Sequence, residues 1–382
     1  MIPRVLLIGD HFGYSGGVAH GVTSYYLNVL PALRAAGLPF RGCFLREPHP
    51  LARPLLDSGI DLRFLDSGKW SPWVFADVAK IARDYRPDIV HTIGMKSCVA
   101  GRVAARVTKA AHLVHVHDLE RPPTPIRLLY RPLALRSEAA ACVSSAVASY
   151  APDIYRLRPE RTVVLHNAID LKRFTEPQDA IANRRRLLQQ DEKQPIIGMV
   201  GRFHPVKGHA EMLDIFARIV SAIPEARLVL VGDGPTREAM EHKAAALGLS
   251  DKVSFLGQRS DIPELISCFD VLALPSRSEG LPIAAIEAMA AARAVVAFRV
   301  GGVGDIVQDG RTGCLAAPGD VSAFADAVVS LLNDPERRRA FSARAFEVSQ
   351  SFGIPEHVRQ LSALYGKLLD ARFREGSLHA VT

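Results

Sequence analysis

Short apolar runs alternate with helix-period stretches along nearly all of the 382 residues, and that alternation confines the fold to repeated βα units built on parallel sheets. Two series can be read. In the first, the expected strands are Val5 to Ile8, Phe40 to Leu45, Leu62 to Leu65, Ile89 to Thr92, Leu113 to Val116, Ala140 to Val143 and Val163 to Leu165. Between the first two, Val22, Tyr25, Tyr26, Val29 and Leu33 recur at helical spacing, and Gly37 supplies the stop. The second series places strands at Ile196 to Val200, Leu228 to Val231, Val253 to Leu256, Val271 to Leu274 and Ala294 to Phe298. Helices near Val321 to Leu332, Pro335 to Ser349 and Pro355 to Phe373 follow.

A polar stretch from Asp170 to Lys193 has no strand pattern and separates the two series. A chain of this length exceeds one typical core. The expected fold is α/β, with two doubly wound parallel-sheet domains and an interdomain cleft. The first domain is expected over 1–172 and the second over 173–354, with a last helix at about 355–382 packing back on the first.

The apolar runs are only a few residues long, far short of the roughly 20 that cross a bilayer. Met1 leads almost directly into the first strand pattern, without the charged start, apolar stretch and cleavage site of a secretory signal. The expected location is the cytoplasm. Cys43, Cys98, Cys142, Cys268 and Cys314 are scattered and form no close pair, so they read as reduced core residues rather than a metal or redox centre. The net charge of +7 is uneven: residues 1–172 hold 22 Lys+Arg against 14 Asp+Glu. A basic surface attracts nucleic acid, anionic lipid or a phosphorylated substrate, and charge alone does not choose among them.

Three segments carry chemistry. The first strand runs into Gly9-Asp10-His11-Phe12-Gly13-Tyr14-Ser15-Gly16-Gly17 and then a helix, where backbone amides can approach a phosphate. The segment Gly201-Arg202-Phe203-His204-Pro205-Val206-Lys207-Gly208 follows a strand and supplies two cations suited to a diphosphate. It lacks the Gly-Lys-Ser/Thr ending of a P-loop. Ser276-Arg277-Ser278-Glu279-Gly280-Leu281-Pro282, followed by Glu287, places one carboxylate before a helix and one in its second turn, with Pro282 at the first helical position. Taken singly, these segments also read as an ordinary βα turn, a solvated cation pair, and helix-start glutamates favoured by the dipole.

Taken together, they resemble the retaining glycosyltransferases of the GT-B fold, the bacterial group 1 or family 4-like enzymes. The likeness spans nearly the whole chain and includes Val231-Gly232-Asp233-Gly234-Pro235, Gly301-Gly302 and Asp309-Gly310-Arg311-Thr312-Gly313 in family order. The resemblance implies that Arg202 and Lys207 bind the donor diphosphate, Glu287 the ribose hydroxyls, and Glu279 the hydroxyls of the transferred sugar. Gly280 and Leu281 belong to the same donor loop, and Gly16 and Gly17 match the family's first glycine loop. His117, in Val116-His117-Asp118, matches a histidine near the reacting sugar, without being an assured general base. The catalytic set implied is thus His117, Arg202, Lys207 and Glu279. The chain departs from the family at His166-Asn167-Ala168-Ile169-Asp170, where Pro-Asn-Gly is common, and at His20-Gly21, where an acidic-basic pair is common.

No Asp-x-Asp triplet occurs, so no metal is expected, and the leaving diphosphate falls to protein cations and amides. The expected co-substrate is a nucleotide diphosphate sugar, with a UDP-sugar slightly favoured over a GDP-sugar; no other cofactor is expected. The expected acceptor is a sugar or polyprenyl-linked glycan in polysaccharide or glycolipid assembly. The run from Arg121 to Arg136, four arginines interleaved with leucines and prolines, marks an anionic membrane surface as a further partner, and no nucleic acid is expected. Three other readings share the fold: a phosphorylase or nucleotide-sugar epimerase, a silent sugar-nucleotide-binding module, and an NAD-type oxidoreductase. For the last, Gly302-Val303-Gly304 lacks the third glycine of the dinucleotide fingerprint.

Overall fold

The structure is a computed structural model that describes residues 2–13, 21–67, 71, 73–135, 138–175, 180–188 and 194–370. The chain divides into two compact units, residues 1–168 with the C-terminal segment from Ile354, and residues 169–353. The first crossing falls within the His166-to-Asp170 stretch.

Among the described residues the first unit holds seven strands: β1 Val5–Gly9, β2 Phe40–Phe44, β3 Leu62–Phe64, β4 Ile89–Ile93, β5 Ala111–Val116, β6 Glu138–Cys142 and β7 Thr162–Val164. They lie parallel in the order β3-β2-β1-β4-β5-β6-β7. Every residue of β1, β4, β5 and β6 is buried. That is why these strands read as continuous apolar runs: helices cover both faces of a parallel sheet. The helix Gly21–Ala35 buries Tyr25, Tyr26, Val29, Leu30 and Leu33 in the same core as Val358, Leu361, Leu364, Tyr365 and Leu368 of the helix Ile354–Leu369.

The second unit has, among the described residues, six parallel strands: β8 Ile196–Val200, β9 Arg227–Val231, β10 Val253–Phe255, β11 Val271–Leu274, β12 Ala294–Phe298 and β13 Gly313–Ala316. Their order is β10-β9-β8-β11-β12-β13. Five of them fall on the strands expected from the sequence, and β13 has no counterpart there. Four residues behind an Asp-Gly-Arg-Thr turn offer too little apolar pattern to stand out. Gly313 is what admits this strand, because a Cβ there would lie 2.1 Å from the Val295 carbonyl oxygen on β12. The four cysteines Cys43, Cys98, Cys142 and Cys268 are buried, Cys314 is half-buried, and all five are free thiols.

In both sheets the strand order reverses once, between β1 and β4 and between β8 and β11. The crevice beyond the carboxyl ends of the strands at such a point is where doubly wound sheets bind ligands. At the second of these points β11 leads into the helix Ile283–Ala290, and Pro282 is the residue before the helix rather than its first. That helix ends on two crossed bonds, Ala292 N–H to the Met289 carbonyl and Arg293 N–H to the Ala288 carbonyl. This closure needs a left-handed residue, and Ala292 supplies it at φ 52°. A left-handed alanine costs about 1 kcal/mol or more. Ala292→Gly is therefore expected to stabilise the protein by about 1 kcal/mol, read as a higher urea midpoint at unchanged m-value; a lower midpoint would contradict it.

Candidate functional site

The site in the second unit is built from the loops after β8 and β11. Lys207 ends a tight 3-10 turn, Pro205–Lys207, and Gly208 follows at φ 75°. A Cβ on Gly208 would lie 1.9 Å from the Pro275 carbonyl oxygen. Only glycine satisfies both the angle and the approach, so the β8 loop is pressed against the β11 loop. Arg277 N–H donates to the Val206 carbonyl at 2.8 Å and locks the contact. From the other side, Gly302 N–H donates to the Glu279 carbonyl at 3.1 Å.

This packing brings Lys207 and Glu279 together, as no spacing in the sequence could show. The Lys207 ammonium donates to both carboxylate oxygens of Glu279, at 2.8 and 2.9 Å. The Glu279 side chain is 6% exposed and that of Lys207 32%, so the carboxylate is nearly desolvated while the ammonium keeps an open side. Two of the three N–H donors of Lys207 go to Glu279, and the third can meet a phosphate oxygen. The carboxylate retains lone pairs for hydroxyl donors. Arg202 is partly buried in the same loop, directly after Gly201. Arg277, from the β11 loop, is engaged elsewhere by the Glu211 carboxylate, at 2.6 Å from its Nε.

Glu287 sits in the second turn of the helix Ile283–Ala290, whose preceding residues include Gly280 and the buried Leu281. Loss of solvation raises its carboxyl from the usual carboxylate range to about 7, opposed by the positive charge of Arg173. Arg173 lies on the short helix Lys172–Thr175, and nothing in its sequence neighbourhood pointed to it. A second residue missed in the sequence is His209, which is buried and stacked on Phe203 at a ring-centroid distance of 4.0 Å. Burial lowers its imidazole to about 4, assisted by the Lys207 charge.

In the first unit, the Asp10 carboxylate after β1 accepts from Ser97 N–H at 2.6 Å and Lys96 N–H at 3.2 Å. It thus caps the helix Met95–Thr108 that follows β4. Gly16 and Gly17 lie outside the described residues. His117 follows β5, partly buried, with its ring 4.9 Å from that of Tyr25 and 4.2 Å from that of His115. Burial, and the nearby His91 and His357, lower its imidazole to about 3. A neutral ring of so little basicity is a hydrogen-bonding group at neutral pH and a poor proton acceptor. Among the described residues no group of three or more His, Cys, Asp or Glu side chains is placed to hold a metal ion. No helix among them is long and apolar enough to cross a membrane.

Among solved structures, Anabaena Alr3699/HepE in complex with UDP-glucose matches with a TM-score of 0.81, covering 95% of this chain and 99% of that one at 22% identity. Two doubly wound parallel-sheet units of this kind define the class as the GT-B fold. Residues 181–348 match the family described as Glycosyl transferases group 1, and residues 19–173 match Glycosyltransferase Family 4. A 2-deoxystreptamine glucosyltransferase of Streptomyces kanamyceticus is 31% identical over 344 residues, covering 84% of this chain and 86% of the relative. A UDP-Gal:alpha-D-GlcNAc-diphosphoundecaprenol alpha-1,3-galactosyltransferase of Escherichia coli is 26% identical, covering 75% and 77%. The chain belongs to the group 1 glycosyltransferases.

Proposed function

We propose that this enzyme is a retaining, metal-independent hexosyltransferase. In this reading it moves a sugar from a nucleotide diphosphate donor to a sugar or polyprenyl-linked acceptor in bacterial polysaccharide or glycolipid assembly. The observation that carries the reading is the Lys207–Glu279 pair at the β8/β11 reversal. It presents a cation with one open donor and a desolvated carboxylate side by side, which suits a phosphate next to a polyhydroxylated ring. Lys207 and Arg202 neutralise the diphosphate, with the backbone amides at Gly280 and Leu281 ahead of the helix start. Glu279 accepts from hydroxyls of the transferred sugar, and Glu287 from those of the ribose. The anomeric carbon's bond to the diphosphate oxygen breaks as the acceptor oxygen bonds to the same face through an oxocarbenium-like state. The acceptor's proton passes to an oxygen of the leaving diphosphate. His117 contacts the sugar as a neutral group. A thermal-shift panel of UDP, GDP, ADP and their sugars tests the donor, since a bound donor stabilises the folded state by mass action. UDP-sugars are expected to give the largest shift, and no shift with any of them would overturn the reading.

Two further expectations belong to this reading. Transfer in excess chelator should keep most of its rate, because the chain has no Asp-x-Asp triplet and supplies Arg202 and Lys207 instead; activity that disappears and returns with magnesium or manganese would refute this. Donor affinity should also rise with pH. If the ribose hydroxyls bind the ionised Glu287, whose carboxyl titrates at about 7, only about a tenth of it is ready at pH 6 and most of it at pH 8. The Kd for UDP-glucose, whose diphosphate diester holds its charge over this range, should fall several-fold from pH 6 to pH 8 in wild type and stay level in Glu287→Gln.

The same reading puts the first unit at the cytoplasmic face of the membrane as a peripheral enzyme. The helix Thr124–Leu133 buries only Tyr130, whose hydroxyl donates to the Met95 carbonyl at 3.1 Å. Its Leu128 and Leu129 are 71% and 42% exposed, beside exposed Arg127 and Arg131. Arg136 lies outside the described residues. Basic residues near an anionic surface contribute about 1 kcal/mol each, and exposed leucines add shallow insertion. Wild type should float with anionic vesicles at low salt and release at high salt, and Arg127→Glu with Arg131→Glu should not float. A wild type indifferent to such vesicles would point to a water-soluble anionic acceptor instead.

A further inference from the structure

Beneath His117 the apolar core of the first unit carries a polar seam. His91 on β4 and His115 on β5 are fully buried with their rings stacked on one face of the sheet, and His117, just past the end of β5, packs its ring against that of His115. The helices Gly21–Ala35 and Ile354–Leu369 cover that face with Tyr25, His357 and Tyr365. His91 bridges the Tyr365 hydroxyl at 2.7 Å and His115 Nδ1 at 3.2 Å.

The direction of one bond in this seam is set by the backbone. His357 Nδ1 lies 2.8 Å from the His166 carbonyl oxygen. A carbonyl only accepts, so the proton of this neutral imidazole is on Nδ1 and its Nε2 is an acceptor. The Tyr25 hydroxyl, 3.3 Å from that Nε2, is therefore the donor. Held in this way, the Tyr25 ring stands edge-on to His357, at 5.4 Å, and edge-on to His117, at 4.9 Å. His115 closes the other side of His117 at 4.2 Å. The Nε2 of His117 is itself buried and has no hydrogen-bond partner among the described residues. Ring packing from Tyr25 and His115 thus sets its plane.

We infer that His357 is a positioning residue for His117, acting through the hydroxyl and ring of Tyr25. The inference rests on the reading that His117 contacts the reacting sugar. Small misplacements of a substrate-contacting group cost up to about a hundredfold in rate. A residue of the C-terminal helix, far from every site motif, therefore enters the reaction by holding an imidazole in place.

The test is steady-state kcat and donor KM, with Tm recorded alongside, for His117→Ala, His357→Asn, His357→Gln, Tyr25→Phe and the double variant His117→Ala/His357→Asn. Asparagine carries an amide nitrogen near the Nδ1 position and keeps the His166 carbonyl bond alone. Glutamine carries an amide oxygen near the Nε2 position and keeps the Tyr25 bond. The expected result is about a tenfold loss of kcat at unchanged donor KM in His357→Asn and Tyr25→Phe, with kcat restored in His357→Gln whatever its Tm. In the His117→Ala background, His357→Asn should add no further loss. If His117→Ala is impaired while His357→Asn and Tyr25→Phe turn over like wild type, the inference is overturned. A His357→Asn loss that persists undiminished without the His117 ring overturns it as well. Should His117→Ala itself keep wild-type kcat, the reading of the site fails first and this inference falls with it.

Discussion

Lys207→Ala is expected to lower kcat/KM by roughly 10²–10³-fold, the cost of removing one preorganised donor from a developing anion. Two losses combine in that figure. The leaving diphosphate loses a cation, and Glu279, only 6% exposed, loses the ammonium that both of its oxygens share. The carboxylate then stands nearly desolvated and unpaired beside an incoming anion, which adds repulsion to the missing attraction. Glu287→Ala should act mainly on the donor side, through a charge-assisted contact of about 1.5–3 kcal/mol. Lys207 lies in the loop after β8 and Glu287 in the second turn of the helix after β11, and neither belongs to the apolar core cluster of the second unit, so the far-ultraviolet spectrum and urea m-value should match wild type. Steady-state kinetics on the folded variants check this, and full activity in Lys207→Ala would remove the site assignment.

Acidification should unfold the first unit well before the second. Burial lowers His91 and His117 to about 3 and His357 to about 4, and His115 lies well below its ordinary range. The sign follows directly. Between those values and the unfolded value near 6.5 the unfolded chain binds more protons, so stability is full above pH 6.5 and falls as pH drops. Each such histidine costs about 1.4 kcal/mol per pH unit in that window. Four of them remove about 5 kcal/mol by pH 5.5, as much as the whole margin of many domains. In the second unit only His209, lowered to about 4, adds such a shift among the described histidines. Pulse proteolysis across a urea series, with the fragments assigned by mass to residues 1–168 or 169–353, follows the two units separately. The urea midpoint of the first unit should drop steeply between pH 7.5 and 5.5, and less steeply in His357→Gln. An unchanged midpoint would show that the seam is not neutral and buried.

The parts of this molecule legible in the sequence are those written locally. Strands buried on both faces appear as apolar runs, as at Ile196–Val200 and Ala294–Phe298, and the helix Pro335–Ser349 starts and stops where its sequence says. The strand Gly313–Ala316 was not legible because it is admitted by the absence of a side chain against a neighbouring carbonyl, a fact about β12 rather than about itself. Likewise Asp10 read as part of a phosphate-binding turn, whereas in the fold it caps a helix 87 residues further on through Ser97.

Hydrophobic periodicity, glycine placement and the order of charged motifs determined by themselves that this chain folds as two doubly wound units with cations and carboxylates at strand ends. Each of those signals depends on a few neighbouring residues and on the backbone angles they permit. Only the tertiary structure decided that Lys207 meets Glu279 across 72 residues, and that Tyr365 bonds to His91 across 274. Those pairings follow from strand order and from which helix covers which face, and a polar side chain carries no local mark of the partner that burial will force on it.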